Sequence, residues 1–333
     1  MSTTRATVYD VARLSGVSIK TVSRVVNGSL QVSETTRAKV LDAVAELGYV
    51  RNPIAHSLRT GSSDTIGVVV DSISDHFFSA LVSVVEERAL AKGFSVLIGS
   101  TGRDPGRERG QVQRMLQQNV AGLLLAPNTS DHSYLLGTAG DLPMVLIDRG
   151  WELPGFDTVG VQDHSGGYAA TQHLLRHGHR RIAFLGEDIR LETITHRRSG
   201  YHDALADAGV PLDESLIRTD CSEAPIAALA TLELLTQPNP PTAIFSSNPR
   251  ASLGSVSALH RAGRTDVAFV SFGDFDLADA LSPAISIIDQ DPTPIAVAAA
   301  DRLLDRMAGE SGPAQQIVLP ITLIERGSGE IAP

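Results

Sequence analysis

Two rhythms of apolar and polar positions divide the chain. In the first fifty residues, apolar side chains recur three and four positions apart in three short runs. These are Val8, Val11, Ala12 and Leu14, then Val22, Val25 and Val26, then Val40, Leu41, Val44 and Leu47, the spacing of amphipathic helices. Thr7 stands three residues before Asp10, a capping box with Asp in place of Glu or Gln. Gly16 permits a tight turn, Ser18 can cap the second helix, and Ser33 and Gly48 bracket the third. Two short helices joined by so short a turn predict a helix-turn-helix, with the third helix closing a small core. Asn52 and Pro53 then open a helix of about two turns, too short to stand without a partner.

From Asp64 onward the rhythm changes to short apolar runs alternating with longer amphipathic stretches. Strands are expected at Ile66–Val70, Phe94–Ile98, Gly122–Ala126, Met144–Asp148, Arg181–Leu185, Thr242–Ser246 and Val267–Phe272. Helices are expected at 78–92, 108–119, 165–177, 198–209, 224–236, 250–262 and 293–308. Such alternation over this length predicts parallel sheets covered by helices on both faces, and two of them.

Charge sharpens this division. The chain of 333 residues has a formal net charge of -10, yet residues 1–63 carry 8 Lys and Arg against 4 Asp and Glu. A basic head on an acidic body localises attraction for a polyanion at one end. On the second helix Val22, Val25 and Val26 form an apolar back. Ile19, Lys20, Thr21, Ser23, Arg24 and Asn27 face outward, a set of cationic, hydroxyl and amide groups for which DNA is the simplest partner. The Arg24 fork suits a guanine edge or a phosphate.

These residues carry a family resemblance. Val8-Tyr9-Asp10-Val11-Ala12, Gly16-Val17-Ser18, Thr21 to Asn27, Val32-Ser33, Thr36-Arg37, Leu47-Gly48-Tyr49 and Ala55-His56-Ser57-Leu58 resemble the headpiece and hinge of the LacI/GalR bacterial transcription regulators. The resemblance continues through Val120 to Leu124, Pro143 to Arg149, Gly178 to Gly186, Arg197-x-x-Gly200-Tyr201, Pro241 to Phe245 and Glu325 to Ser328. It implies an all-α helix-turn-helix headpiece followed by an α/β body of two doubly wound parallel-sheet lobes, like a periplasmic binding protein. The expected division is a head at 1–50 and a hinge helix and linker at 51–63. A first lobe follows at 64–161 plus 291–319, and a second at 162–290 plus 320–333.

Carried onto this sequence, the resemblance implies DNA contacts from Thr7, Tyr9, Ser18, Ile19, Lys20, Thr21, Ser23, Arg24 and Asn27. Ala55 and Leu58 would act at the hinge, with Leu58 as the wedge that enters a central base step of the minor groove. Pro53 follows Asn52 here, whereas the family more often has proline before the asparagine. The implied function is a homodimeric regulator, usually a repressor in this family, that binds a pseudo-palindromic double-stranded operator under the control of a small-molecule effector.

Open parallel sheets bind ligands beyond the carboxyl ends of their strands, independently of any family. Candidates there are Asp71, Phe77 and Phe78 after the first strand, Asp148 and Arg149 after the fourth, Arg197, Asn248, Asp274 and Gln290. Asp148 and Arg197 also match family positions that reach the effector. The family's frequent Asn-Asp is Asn248-Pro249 here, its late carboxylate pair is Gly273-Asp274, and a ring that several members stack on a sugar aligns with Cys221. Trp151 is therefore a candidate to supply a ring. A sugar or related metabolite is the expected effector, with a non-sugar effector or an activating role as the alternative.

Other function classes find little footing. No phosphate loop, G-x-S-x-G elbow or G-x-G-x-x-G after a strand occurs, so an enzyme, for example a sugar-processing one, is not expected. His173 and His177 stand four apart on a predicted helix, with no carboxylate or thiol near them in sequence, so neither metal nor cofactor is expected. The single Cys221 suits a reducing compartment, no apolar run approaches a membrane span, and no apolar signal region precedes the first helix. A cytoplasmic protein without a membrane partner is the expectation.

Overall fold

The computed structural model describes residues 6–26, 31–49, 63–128, 132–138 and 142–333, which fall into two compact units, Met1–Asp64 and Thr65–Pro333. The first is helical: α1 (Val8–Ser15), α2 (Ile19–Val26) and α3 (Glu34–Leu47). Thr7 and Asp10 close the capping box from both sides, and Gly16 ends α1 at φ 69°, a left-handed conformation that favours glycine. Val11, Val22, Val25, Val40 and Ala43 meet as its core, with Val8, Val17, Val26, Val44 and Leu47 packed around them. The expected hinge, with Ala55 and Leu58, lies outside the described residues, as does Asn27.

The second unit holds two six-stranded sheets. The first has the order β11-β5-β4-β3-β1-β2, from β1 (Thr65–Val70), β2 (Ser95–Ser100), β3 (Gly122–Leu125), β4 (Met144–Ile147), β5 (Asp157–Val161) and β11 (Gln316–Leu319). The second has the order β12-β10-β9-β8-β6-β7, from β6 (Ile182–Leu185), β7 (Ile217–Arg218), β8 (Ala243–Ser246), β9 (Ala268–Phe272), β10 (Ser286–Asp289) and β12 (Thr322–Ile324). Every pairing is parallel except β10 with β12. The chain therefore passes between the sheets three times, after β5, β10 and β11.

The helices are α4 (His76–Ala91), α5 (Pro105–Gln117), α6 (Ser133–Thr138), α7 (Asp163–Arg176), α8 (Glu192–Asp207), α9 (Ala224–Leu235), α10 (Pro249–Arg261) and α11 (Pro292–Met307). Alternation along each strand assigns them to faces. Val68 and Val70 point to the side of α4 and α11, where Leu81, Val85, Ala299 and Leu303 are buried. Val69, Leu123 and Leu125 point the other way, onto Val112 and Met115 of α5. In the second sheet Phe184, Phe245 and Val270 face Leu174 of α7 and Tyr201 of α8, while Leu185, Ile244 and Phe269 face Ala227 of α9 and Leu259 of α10.

Five strands, α6 and the first turns of α8 escape the apolar pattern. β7, β10, β11 and β12 hold only one to three apolar residues in a row, and β5 opens on Asp157 and Thr158 and is broken by Gly160, so none stands out as an apolar run. The start of α8 at Glu192, against an expected 198, is hidden because its first turns bury Thr193 and Arg197 beside Ile194.

The α7–α8 crossing fixes the geometry of the second lobe. A Cβ on Gly167 would lie 2.1 Å from the Arg197 carbonyl oxygen, and one on Gly200 2.1 Å from that of His164. Only glycine lets the two backbones meet. Gly200→Ala is expected to destabilise the second unit by about 2–3 kcal/mol or to prevent its folding. Urea denaturation of residues 64–333 checks this, and an unchanged midpoint would show that the helices can separate at no cost.

Candidate functional site

In the helical unit, α2 presents its apolar side inward and leaves Ile19, Lys20 and Arg24 exposed, with Thr21 and Ser23 half-buried. The Ser18 hydroxyl caps the helix, accepting from the Thr21 amide at 3.2 Å and meeting the Thr21 hydroxyl at 2.9 Å. The Thr7 hydroxyl is likewise engaged, donating to Asp10 at 2.7 Å, and that bond holds the Asp10 carboxyl below its ordinary range. Tyr9 is largely exposed on α1. A cation, a guanidinium fork and an aliphatic side chain therefore stand together on one short, firmly capped helix.

The second unit gathers charge where its strands end. Asp71 follows β1, Asp148 and Arg149 follow β4, and Asn128 lies just beyond β3. The Arg149 guanidinium donates to Asp71 Oδ2 at 3.0 Å, to Asn128 Oδ1 at 2.9 Å and to the Pro127 carbonyl at 3.1 Å, and its Nε lies 3.2 Å from Asp148 Oδ2. Burial opposes the charge of Arg149, but Asp71 and Asp148 outweigh it and raise the pKa above the ordinary value. Asp148 adopts φ 68°, a left-handed conformation that short polar residues tolerate best outside glycine.

The other wall belongs to the second lobe. Arg197 donates through Nε to Asp163 Oδ1 at 2.7 Å, through one terminal nitrogen to the Ser247 carbonyl at 2.6 Å, and through the other to Gln290 Oε1 at 3.2 Å. Its guanidinium lies 3.6 Å from the centre of the Phe272 ring, a cation–π contact. Gln290 completes the span, because its Nε2 donates to Asp148 Oδ1 at 3.0 Å. The sequence Asp71–Arg149–Asp148–Gln290–Arg197–Asp163 is thus one buried polar chain from the first lobe to the second.

Further ties cross beside it. Arg103, after β2, pairs with Glu187 after β6 at 2.8 Å, and Arg250 of α10 pairs with Asp75 of α4 at 3.0 Å. Glu192 of α8 accepts the Gly150 and Trp151 amides at 2.7 and 3.2 Å. A cavity of about 310 Å³ opens along this seam, bordered by Asn128, His132, Arg149, Gly150, Glu192 and His196.

Asp71, Asp148, Arg149, Arg197 and Gln290 are therefore brought together, with Asn248 adjacent as the cap of α10. Phe78 is buried in the core with Leu81, Phe77 meets it edge to face, and the Trp151 ring packs on Gly160. Asp274 is exposed and bound by both terminal nitrogens of Arg326. One reading of the sequence needs correction: carboxylates do stand near His173, whose Nε2 meets Glu330 Oε1 at 2.6 Å and whose Nδ1 lies 3.6 Å from Glu325. Those contacts fasten the last residues to α7.

Sequence reasoning missed Arg103, Asn128, Asp163, Glu187 and Glu192. The rule of strand carboxyl ends could have found Asn128 and Glu187, which follow β3 and β6 directly. Asp163 was hidden because β5, which it follows, was not recognised.

Comparison with known proteins covers both units. Residues 7–52 match the description "Bacterial regulatory proteins, lacI family", and residues 63–305 match "Periplasmic binding proteins and sugar binding domain of LacI family". The HTH-type transcriptional repressor PurR of Photobacterium profundum is 32% identical over 91% of this chain and 92% of its own. The ribose operon repressor of Haemophilus influenzae is 32% identical over 97% of this chain and 98% of its own. Among solved structures, the Lac repressor dimer bound to operator and the anti-inducer ONPF superposes with a TM-score of 0.86 at 27% identity, covering 98% of this chain and 99% of that one.

Burial pushes Asp163 up to about 7, against the opposing charge of Arg197, and Asp148 adds to the rise. In the unfolded chain the group titrates near 3.8. Between these values the folded chain keeps a proton that the unfolded chain has released, so the stability this group contributes falls as pH rises through the window. Asp163→Asn is expected to flatten that decline in Tm between about pH 4 and about pH 7. Parallel Tm curves for the two proteins would show that Asp163 ionises normally.

Proposed function

The chain belongs to the lacI family of bacterial regulatory proteins, and on that premise we propose that it is a dimeric transcription repressor whose operator affinity is set by a small molecule held between the two lobes of its body. The observation that carries this reading is the match of both units, over nearly the whole chain, to a repressor dimer solved on its operator. The exposed Ile19, Lys20 and Arg24 supply what a recognition helix needs: cations for phosphates and varied side chains for base edges. Asn27, Ala55 and Leu58 are assigned by the family resemblance alone.

Small-molecule control is supported by the polar chain across the lobes. A ligand that alters Asp148–Gln290–Arg197 favours one lobe arrangement over another, and differential affinity of that kind supplies about 1–3 kcal/mol of coupling in typical regulators. The relatives named above point to a sugar or a related metabolite. The protein acts by binding, in the cytoplasm, where its operator is. Among the described residues no helix is long and apolar enough to cross a membrane.

Dimer formation has a surface to use. Ile226, Leu229 and Leu232 share one side of α9 and are 40, 63 and 40% exposed, and Leu253 of α10 is 50% exposed. Apolar groups so arranged fit a second copy of the same face. Leu229→Glu is expected to shift the protein toward monomer in sedimentation velocity and to weaken operator binding about tenfold or more. A dimer of undiminished stability would exclude this face.

Operator selection from a random DNA library tests the function itself. The full chain is expected to recover an inverted repeat, with affinity falling steeply as salt rises, and Lys20→Ala to relax base preference within each half-site. Recovery of no common sequence would refute the reading.

A further inference from the structure

The cleft is short of positive charge. Four carboxylates are buried where the two lobes meet: Asp71, Asp148, Asp163 and Glu187 at 2, 6, 3 and 6% exposure. Against them stand Arg149 and Arg197, equally buried, and the half-buried Arg103 that pairs with Glu187. Arg250 does not repair the deficit, because it is divided between Asp75 and Glu223. Glu108, buried behind Asn128, enlarges it.

The deficit has an address. Asp163 gives Oδ1 to Arg197, while its Oδ2 has no hydrogen-bond partner among the described residues. Two more buried groups are in the same condition, the hydroxyl of Ser247, whose carbonyl Arg197 binds, and the Nδ2 of the next residue, Asn248. The orientation of Asn248 is set, since its Oδ1 caps α10 by accepting the Ala251 amide at 2.8 Å. Unsatisfied buried polar atoms are costly and rare, and three on Asp163, Ser247 and Asn248, the first two of which Arg197 binds directly, describe a seat for something polar.

We propose that this seat takes a cationic effector, a hydroxylated amine such as an amino sugar, whose ammonium pairs with Asp163 Oδ2 and whose neighbouring hydroxyl receives the Asn248 amide and meets the Ser247 hydroxyl. The inference rests on the effector reading above and narrows its chemistry. A neutral polyol could fill the hydrogen bonds but would leave the excess negative charge buried, which is the larger cost. Burial already raises the Asp163 and Glu187 carboxyls toward their neutral forms, the response of a site lacking a cation. An ammonium at Oδ2 would release that proton.

The test uses the full-length chain at neutral pH. Thermal shift and calorimetry compare D-glucosamine and D-galactosamine with their neutral parents, D-glucose and D-galactose, and with D-ribose. At least one amine is expected to raise Tm and to bind about tenfold or more tightly than its neutral parent. Asp163→Asn should remove that preference. Ser247→Ala, which breaks no side-chain hydrogen bond among the described residues, should weaken the amine severalfold without moving the Tm of the free protein. No binding of either amine, equal binding of amine and parent, or an unaltered preference in Asp163→Asn with Ser247→Ala silent would each overturn the proposal. The effector reading falls separately, if no compound of the set, charged or neutral, changes operator affinity.

Discussion

Burying a guanidinium is affordable only beside carboxylates, and the body of this protein buries two in the seam between its lobes. Moving an isolated charge from water into a protein interior costs several kcal/mol even after relaxation. Arg149 and Arg197 must therefore be met by Asp71, Asp148 and Asp163 at hydrogen-bond distance. Those carboxylates come from two separate strand ends and a helix start. The need to align them constrains where both sheets terminate.

Gln290 makes that constraint a link between lobes. An amide can donate to a carboxylate on one side and accept from a guanidinium on the other, and Gln290 does both, with Asp148 and Arg197. A carboxylate at this position would repel Asp148, and an ammonium would repel Arg197. A neutral residue with two polarities is what joins a negative end of one lobe to a positive end of the other. Because it stands where the chain passes from β10 to α11, a change at either wall reaches the crossover directly.

The parts legible in the sequence and the parts that were not differ in kind. The helices of the head, the alternating body and the strand-end positions Asp71, Asp148 and Arg149 were legible because periodicity and the carboxyl-end rule depend on local chain chemistry. Arg197 and Asn248 were reached the same way. Asp163 was not, because β5 went unrecognised, and Arg103 and Glu192 were not, because their roles come from partners distant along the chain, Glu187 and the amides of Gly150 and Trp151. Conversely, Phe78 and Trp151 carried the right chemistry at plausible positions, yet packing against Leu81 and on Gly160 claims them. Spacing along a chain cannot say which wall an aromatic ring will choose.

Recognition and control also place opposite demands on side chains. On α2 the exposed Ile19, Lys20 and Arg24 keep donors and surface available for a partner that is itself highly charged. In the seam the guanidinium groups of Arg149 and Arg197 are already committed to the protein, so a ligand must offer what the remaining atoms lack. The unpartnered atoms around Arg197 are therefore more informative about ligand chemistry than the satisfied ones: Asp163 Oδ2 asks for a donor, Asn248 Nδ2 for an acceptor, and the excess of buried carboxylates asks that the donor carry charge.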